Sequence, residues 1–554
     1  MKKPSADAPN ARSQAVIIVP GVIETMLMTD PAAGLKGRFY APLKKNMARL
    51  MTGFVSGSLK ALLFKKYDSV SKACLKLLDA AVGNLRMDPD GTPHFDLRTP
   101  VSGAKNSSYA SLIKSGMWSQ VWFGAQIAPE LSKEAGKENV FVFTYDWRLG
   151  SPTVTEMFSA FLEEVKELTG CESVSVIGDS YGCQITASYL YTHGYDNGIN
   201  RIVFDSPAWT GTALFKALMA DRKEDLGFRI THGASTLFGF FLIEQDLLPI
   251  IKRFPDRIVQ HVAFEFISHG FRDYLRGAAG LWCCCKTDDY EEMKEKLLDP
   301  EKNAKLIAET DKAQYGVMRH IPEVLEKAQA AGISVSVIMN EGTALFAGGD
   351  INGDGVVDAE SGSGGECLRL GKTFTDGRKG KHISPSNDFD LTNAFLPDRT
   401  WVYRSLTHSQ SYWDEQPREL VKKLLLTDEI KNVDTDPRFP QFSESHCPTY
   451  DVSIRLSKRG GEVLRWSEGK TNAFIRNDSI RHNIIVTGIK TEGVPYTVSG
   501  GKGRLKPGNT RKLTLTPCST ACRPGTGIIK ISYIEFEYIP IPKTRTLLFT
   551  AEAE

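Results

Sequence analysis

A chain of 554 residues, 41% hydrophobic and 24% charged, has the composition of an ordinary globular protein, and at ~150 residues per domain it holds more than one domain. That composition excludes collagen-like repeats, coiled coil and wholesale disorder, and a net charge of +2 gives no general footprint of nucleic-acid binding. The charge is unevenly placed: residues 447–554 carry 17 basic and 9 acidic side chains, a net of +8, against −6 for the rest. Ten cysteines in so long a chain do not make a disulfide scaffold, and no paired C-x-x-C zinc pattern occurs. The start, MKKPSADAPNARSQ, turns polar where a signal peptide needs an apolar run. The longest apolar stretch, near Leu237–Ile243, falls well short of the ~20 residues of a spanning helix. The expectation is a cytoplasmic protein, or one held peripherally at a membrane.

In chain order, Ala15–Val19 (AVIIV) is an unbroken apolar run ending in Pro20-Gly21, and reads as a buried strand. Val140–Thr144, Ser173–Ile177, Arg201–Phe204, Ile333–Met339 and Thr400–Tyr403 repeat the pattern, separated by helical stretches at Thr153–Leu168, Cys183–Thr192, Pro322–Ala331 and Pro417–Leu426. Continuous apolar strands are buried on both faces, and their alternation with helices predicts a mostly parallel sheet. This α/β core spans residues 14–428. Two insertions, about 24–139 and 212–332, have the size of lids or substrate-binding caps. The first contains the lysine-punctuated stretch Leu43–Leu85, which fits either a membrane-facing surface with snorkelling lysines or the solvated face of cap helices. Residues 429–446 read as a linker. Beyond them, short alternating runs at Tyr450–Leu456, Asn483–Val486, Lys512–Leu515, Ile528–Tyr533 and Thr546–Thr550 predict an all-β, immunoglobulin-like sandwich over 447–554.

The sharpest chemical signal is Gly178-Asp179-Ser180-Tyr181-Gly182, a G-x-S-x-G with a strand before it and a helix after. The chain turns there so sharply that side chains at the flanking positions would collide. The turn lifts the Ser180 hydroxyl clear of the sheet at a helix N-terminus, where the Tyr181 amide is placed to stabilise an oxyanion. A serine nucleophile needs a base and an acid, ordered Ser, acid, His along the chain in this fold. His408 alone lies between the strand TWVYRSL and the end of the core. Glu341, Asp350, Asp354 and Asp358, after ISVSVIM, are candidates for the acid, with Asp205 as an outside one. Asp350-x-Asn352-x-Asp354-Gly355 also copies the opening of a calcium loop, but Ser361 stands where the bidentate Glu is required. Calcium, with Asp350, Asn352 and Asp354 as ligands, is therefore the weaker alternative to an enzyme without metal or cofactor.

Together these segments resemble the lecithin:cholesterol acyltransferase-like α/β-hydrolases. Val16–Gly21 is similar to the family's first strand and its Val-Pro-Gly turn, and Tyr145-Asp146-Trp147-Arg148 to its Tyr-Asp-Trp-Arg segment. Ser206–Gly211 resembles its Pro-Trp-Gly-Gly turn, and Gly353-Asp354-Gly355-Val356-Val357 its Gly-Asp-Gly-Thr-Val. The resemblance implies Asp354 as the triad acid, His408 as the triad histidine, and the amides of Val22 and Tyr181 as oxyanion donors. It covers residues 14–428. The family's disulfide-closed lid has no counterpart, since the first insertion holds a single cysteine, Cys74, and the β domain lies outside the resemblance.

The function expected is a serine-dependent acyl-ester hydrolase of lipase or phospholipase type. The alternatives are an O-acyltransferase using the same residues and a non-catalytic lipid- or surface-binding protein. The expected partner is a lipid or other acyl-ester substrate, with peripheral membrane contact and no nucleic acid. Cys283–Cys285 beside Trp282 are candidates for lipidation or for simple burial.

Overall fold

The computed structural model describes residues 14–38, 68–121, 127–219, 272–345, 350–404, 411–444 and most of 452–553, with a few positions between, Leu406 and His408 among them. Most of the lysine-punctuated stretch and the whole of Leu237–Ile243 lie outside the described residues. The chain divides into two compact units, the second formed by residues 228–263 and 446–554 and the first by the rest.

The first unit is built on seven strands: β1 (Ala15–Val19), β2 (Val140–Val142), β3 (Val174–Asp179), β4 (Ile199–Asp205), β5 (Ser334–Glu341), β6 (Thr400–Arg404) and β7 (Phe442–Glu444). They lie in the order β7-β6-β5-β4-β3-β1-β2, and each neighbouring pair is parallel. Parallel neighbours require crossovers, supplied among others by α1 (Ser151–Thr169), α2 (Tyr181–His193), α3 (Ile321–Ala330) and α4 (Glu415–Leu426). Every residue of β1 and β3 is buried, so alternate side chains meet protein on both faces of the sheet. Helix α2 packs against both α1 and α3, while α4 packs with Ala128–Ala135. The Ser175 hydroxyl donates to Leu425 O at 2.8 Å, tying α4 to β3.

The six strands expected from apolar runs are all present. The seventh, Phe442–Glu444, pairs with Val402–Arg404 inside the stretch read as linker. Its three residues carry no run of their own; an edge strand gains its order from the neighbour's free ladder.

In the second unit, Val452–Arg455, Thr471–Asn477, Tyr496–Gly500 and Thr510–Pro517 form an antiparallel four-stranded sheet. Val463–Trp466, Asn483–Glu492, Gly503–Leu505, Gly525–Phe536 and Pro540–Ala553 form a second, in which Val463–Trp466 alone runs parallel to its neighbour. The buried positions recur every second residue (Ala473 and Ile475, Ile484 and Val486, Leu513 and Leu515, Ile531 and Tyr533) and form one cluster from both sheets. Two sheets closing on one apolar layer make a β-sandwich.

Candidate active site

At the C-terminal end of β3 the backbone of Ser180 takes φ 55° and ψ −118°, a region nearly closed to residues with a side chain. Such a conformation costs ~1–3 kcal/mol and persists only where its surroundings impose it. Here three glycines do so. A Cβ on Gly182 would stand 1.9 Å from Val19 O, one on Gly178 2.9 Å from the Cys183 backbone, and one on Gly21 2.7 Å from Ser180 Cβ. The Ser180 amide donates to Asp205 O at 2.9 Å, fastening the turn to β4.

Asp354 lies on a second tight turn, beyond β5. Gly355 has φ 99°, and a Cβ on Gly353 would stand 2.1 Å from Val357 O, so Gly-Asp-Gly is what the turn's geometry demands. One Asp354 oxygen accepts from the amides of Val356 (2.9 Å) and Val357 (2.7 Å). The other faces His408 Nδ1 at 2.7 Å, and His408 Nε2 lies 2.8 Å from Ser180 Oγ. The His408 amide also donates to Asp354 O at 2.9 Å, so backbone and side chain hold the same register. Because a carboxylate only accepts, Nδ1 carries the proton and Nε2 is left to accept from the Ser180 hydroxyl. Burial pushes the imidazole down, but the charge and hydrogen bond of Asp354, with Glu24 and Asp205, outweigh it and hold His408 above its ordinary value. The three residues named from sequence therefore meet, from loops 174 and 54 residues apart.

The other acid candidates take different partners. Glu341 is buried against Arg404 Nε (2.8 Å) and Asn352 Nδ2 (3.0 Å), and burial raises it. Asp350 pairs with Arg369 on the surface. Asp358 accepts from the Ala213 amide at 2.9 Å and faces Lys286 at 3.6 Å. Asp205 accepts from Ser206 Oγ (3.1 Å) and Ser411 Oγ (2.8 Å), and burial pushes it up to about 6. The calcium-loop set is dispersed in the same way: Asp350 turns to Arg369, Asn352 to Glu341 and the Gly342 amide, and Asp354 to His408. Among the described residues no three His, Cys, Asp or Glu side chains are grouped to hold a metal ion.

Val22 follows the Gly21 contact on Ser180, and Tyr181 opens α2. Among the described residues neither amide donates a hydrogen bond within the protein. Tyr145 braces the first of these turns by donating from its hydroxyl to Pro20 O at 2.5 Å. Its neighbours Trp147 and Arg148 are buried, with Arg148 Nη2 2.6 Å from Asp146. Two features had no sequence signal: Glu24, buried beside the Gly21 turn, and the gathering of Ser411 and Asn340 at Asp205, itself the outside acid candidate, which anchors the segment following His408. Cys283 and Cys285 are buried and their thiols are raised by that burial, so they are packing groups in this conformation.

A parallel sheet with a serine elbow after β3, an acid after β5 and a histidine after β6 is an α/β-hydrolase fold. No family model and no curated protein matches the chain. Among solved structures it is similar to the Tle4–Tli4 complex at 11% identity, over 74% of this chain and 98% of that one, with a TM-score of 0.34. The lipase BlEst2 of Bacillus licheniformis, in propeptide form, aligns at 11% identity over 76% of this chain and 89% of its own (TM-score 0.24). Proline iminopeptidase of Mycobacterium smegmatis aligns at 12% over 54% and 84% (TM-score 0.23). Likenesses this distant assign no function.

Proposed function

We propose that the protein is a serine-dependent acyl-ester hydrolase acting on a lipid substrate, of the lecithin:cholesterol acyltransferase-like type. The observation that carries this is the unbroken hydrogen-bond chain from Asp354 through His408 to Ser180. In this reading the Ser180 oxygen attacks the ester carbonyl while its proton passes to His408 Nε2. Asp354 holds the tautomer and stabilises the imidazolium. The amides of Val22 and Tyr181 receive the tetrahedral oxyanion. Collapse of that intermediate gives the acyl-enzyme on Ser180, and the leaving alcohol takes the proton from His408. Water, activated by the same histidine, then releases the acid. An acceptor alcohol in place of water would make the enzyme an O-acyltransferase with no change in these residues.

A lipid ester brings the protein to a membrane surface as a peripheral visitor. Among the described residues no helix is long and apolar enough to cross one. The test is covalent labelling by a fluorophosphonate, read by intact mass with and without detergent. A single adduct on the wild type and none on Ser180→Ala is the expected result; a folded wild type that takes no label overturns the assignment. Phospholipid vesicles with and without an acceptor alcohol then separate hydrolysis from acyl transfer by the product formed.

A further inference from the structure

The turn after β1, Pro20–Glu24, lies directly on the nucleophile, as the 2.7 Å and 3.2 Å approaches of a Gly21 Cβ position to Ser180 Cβ and Oγ show. It is held from inside as well as by Tyr145. Gly21 N donates to Glu24 Oε2 at 2.5 Å, and Glu24 N returns to Gly21 O at 3.4 Å. Between them Ile23 sits at φ 69°, which a β-branched side chain avoids unless the ends of its turn are fixed. Glu24 is only 3% exposed. The buried carboxylate is thus fastened to the turn that lies on Ser180, and its charge bears on His408 beyond it.

We propose that Glu24 is a positioning residue of the active site. Its carboxylate clamps the Gly21 amide so that the next amide, Val22, stays aimed at the oxyanion. Its charge joins that of Asp354 in stabilising the imidazolium that His408 becomes. The inference rests on the reading of Ser180 as nucleophile. Among the described residues, Asp354 from the loop after β5 contacts His408, and the charges of Glu24, from the turn after β1, and Asp205, from the end of β4, bear on it. Tyr145, Tyr412 and Cys183 also feel Glu24, but burial raises all three and keeps them neutral.

The experiment measures the rate of fluorophosphonate labelling against pH for the wild type, Glu24→Gln and Glu24→Ala. Gln keeps an acceptor for the Gly21 amide and removes the charge; Ala removes both. Labelling needs neutral His408, so it rises with pH through the histidine's titration. Loss of the Glu24 charge makes the imidazole easier to deprotonate, and in Glu24→Gln this rise moves to lower pH with a several-fold lower plateau. In Glu24→Ala the plateau falls further, toward the ~100-fold loss of one oxyanion donor. Thermal melting confirms that each variant is folded, and Glu24→Gln carries the test alone if Glu24→Ala is not. An unmoved pH limb in Glu24→Gln overturns the electrostatic role, and an unchanged plateau in Glu24→Ala overturns the clamp. Wild-type labelling that Ser180→Ala abolishes, measured in the same series, separates these failures from failure of the nucleophile itself.

Discussion

The C-terminal ends of β3–β5 and the interior of the β-sandwich both bury side chains, yet the chemistry they bury is opposite. At the strand ends Asp179, Asp205, Ser206, Asn340 and Glu341 are all buried, close to the partly exposed Ser180 and His408. In the sandwich, among the described residues, Asn477 alone is a buried polar side chain, and its Nδ2 donates to Leu505 O at 3.1 Å. Burying a polar group is costly unless it is hydrogen-bonded, so a cluster of them marks a place where the fold serves something besides packing. The described interior of the sandwich, apolar at every second residue, is a packing layer. Two kinds of burial therefore separate a site from a core without reference to any relative.

Substitutions should break along that line. Ser180→Ala is expected to remove turnover on the order of 10⁶-fold, the scale of deleting a triad nucleophile, while leaving the melting temperature close to the wild type's. Ester hydrolysis assays paired with thermal melts check both halves. Asp354→Asn keeps the shape but takes away the charge that fixes the His408 tautomer, and kcat should fall ~10⁴-fold. A loss of less than tenfold would point back to another carboxylate, with Asp205→Asn the variant to measure next.

Gly182→Ala tests the elbow as architecture. Its methyl meets Val19 O at 1.9 Å, backbone against backbone, so β1 or α2 must shift. The expected cost is ~3 kcal/mol or more in denaturant unfolding, together with loss of labelling at Ser180. Leu515→Ala tests the other side of the comparison. A fully buried leucine between the two sheets should cost ~2–5 kcal/mol in the sandwich's own unfolding, with the labelling rate of the folded protein unmoved. The smallest effect is on pH. Because Asp354, Glu24 and Asp205 raise His408, kcat/KM should rise with pH through a midpoint above the ordinary histidine value of about 6.5. Activity is thus lost as pH falls through that midpoint, and a limb lying below pH 6 would contradict the charge arrangement around the ring.

Much of this was legible in the chain. Apolar runs marked six of the seven strands because residues buried on both faces leave nothing polar to interrupt them. Phe442–Glu444 was not marked, since Phe442, Ser443 and Glu444 form a strand only where β6 offers an unpaired edge. In the sandwich, Thr471–Asn477 and Tyr496–Gly500 went unread because they alternate polar and apolar residues too briefly to stand out. Ser180 could be found from its glycines, which a tight strand-to-helix turn requires. His408 was chosen by position, and its Nε2 lies 2.8 Å from Ser180 Oγ. Asp354 needed the resemblance to select it from four neighbouring carboxylates, and the structure separates them by partner: Arg404 for Glu341, Arg369 for Asp350, the Ala213 amide for Asp358 and His408 for Asp354.

Glu24 shows where such reading stops. Local sequence determined six of the seven strands of the parallel sheet, the elbow and the Gly-Asp-Gly turn, because each depends on sterics and solvation within a few residues. The tertiary structure alone decided which carboxylate faces the histidine, that Gly21 lies against Ser180, and that Glu24 is buried beside both. The contacts of His408 with Asp354 and with Ser180 join residues 54 and 228 apart, and only packing of the sheet's strand ends brings them within hydrogen-bonding distance and sets Gly21 against Ser180.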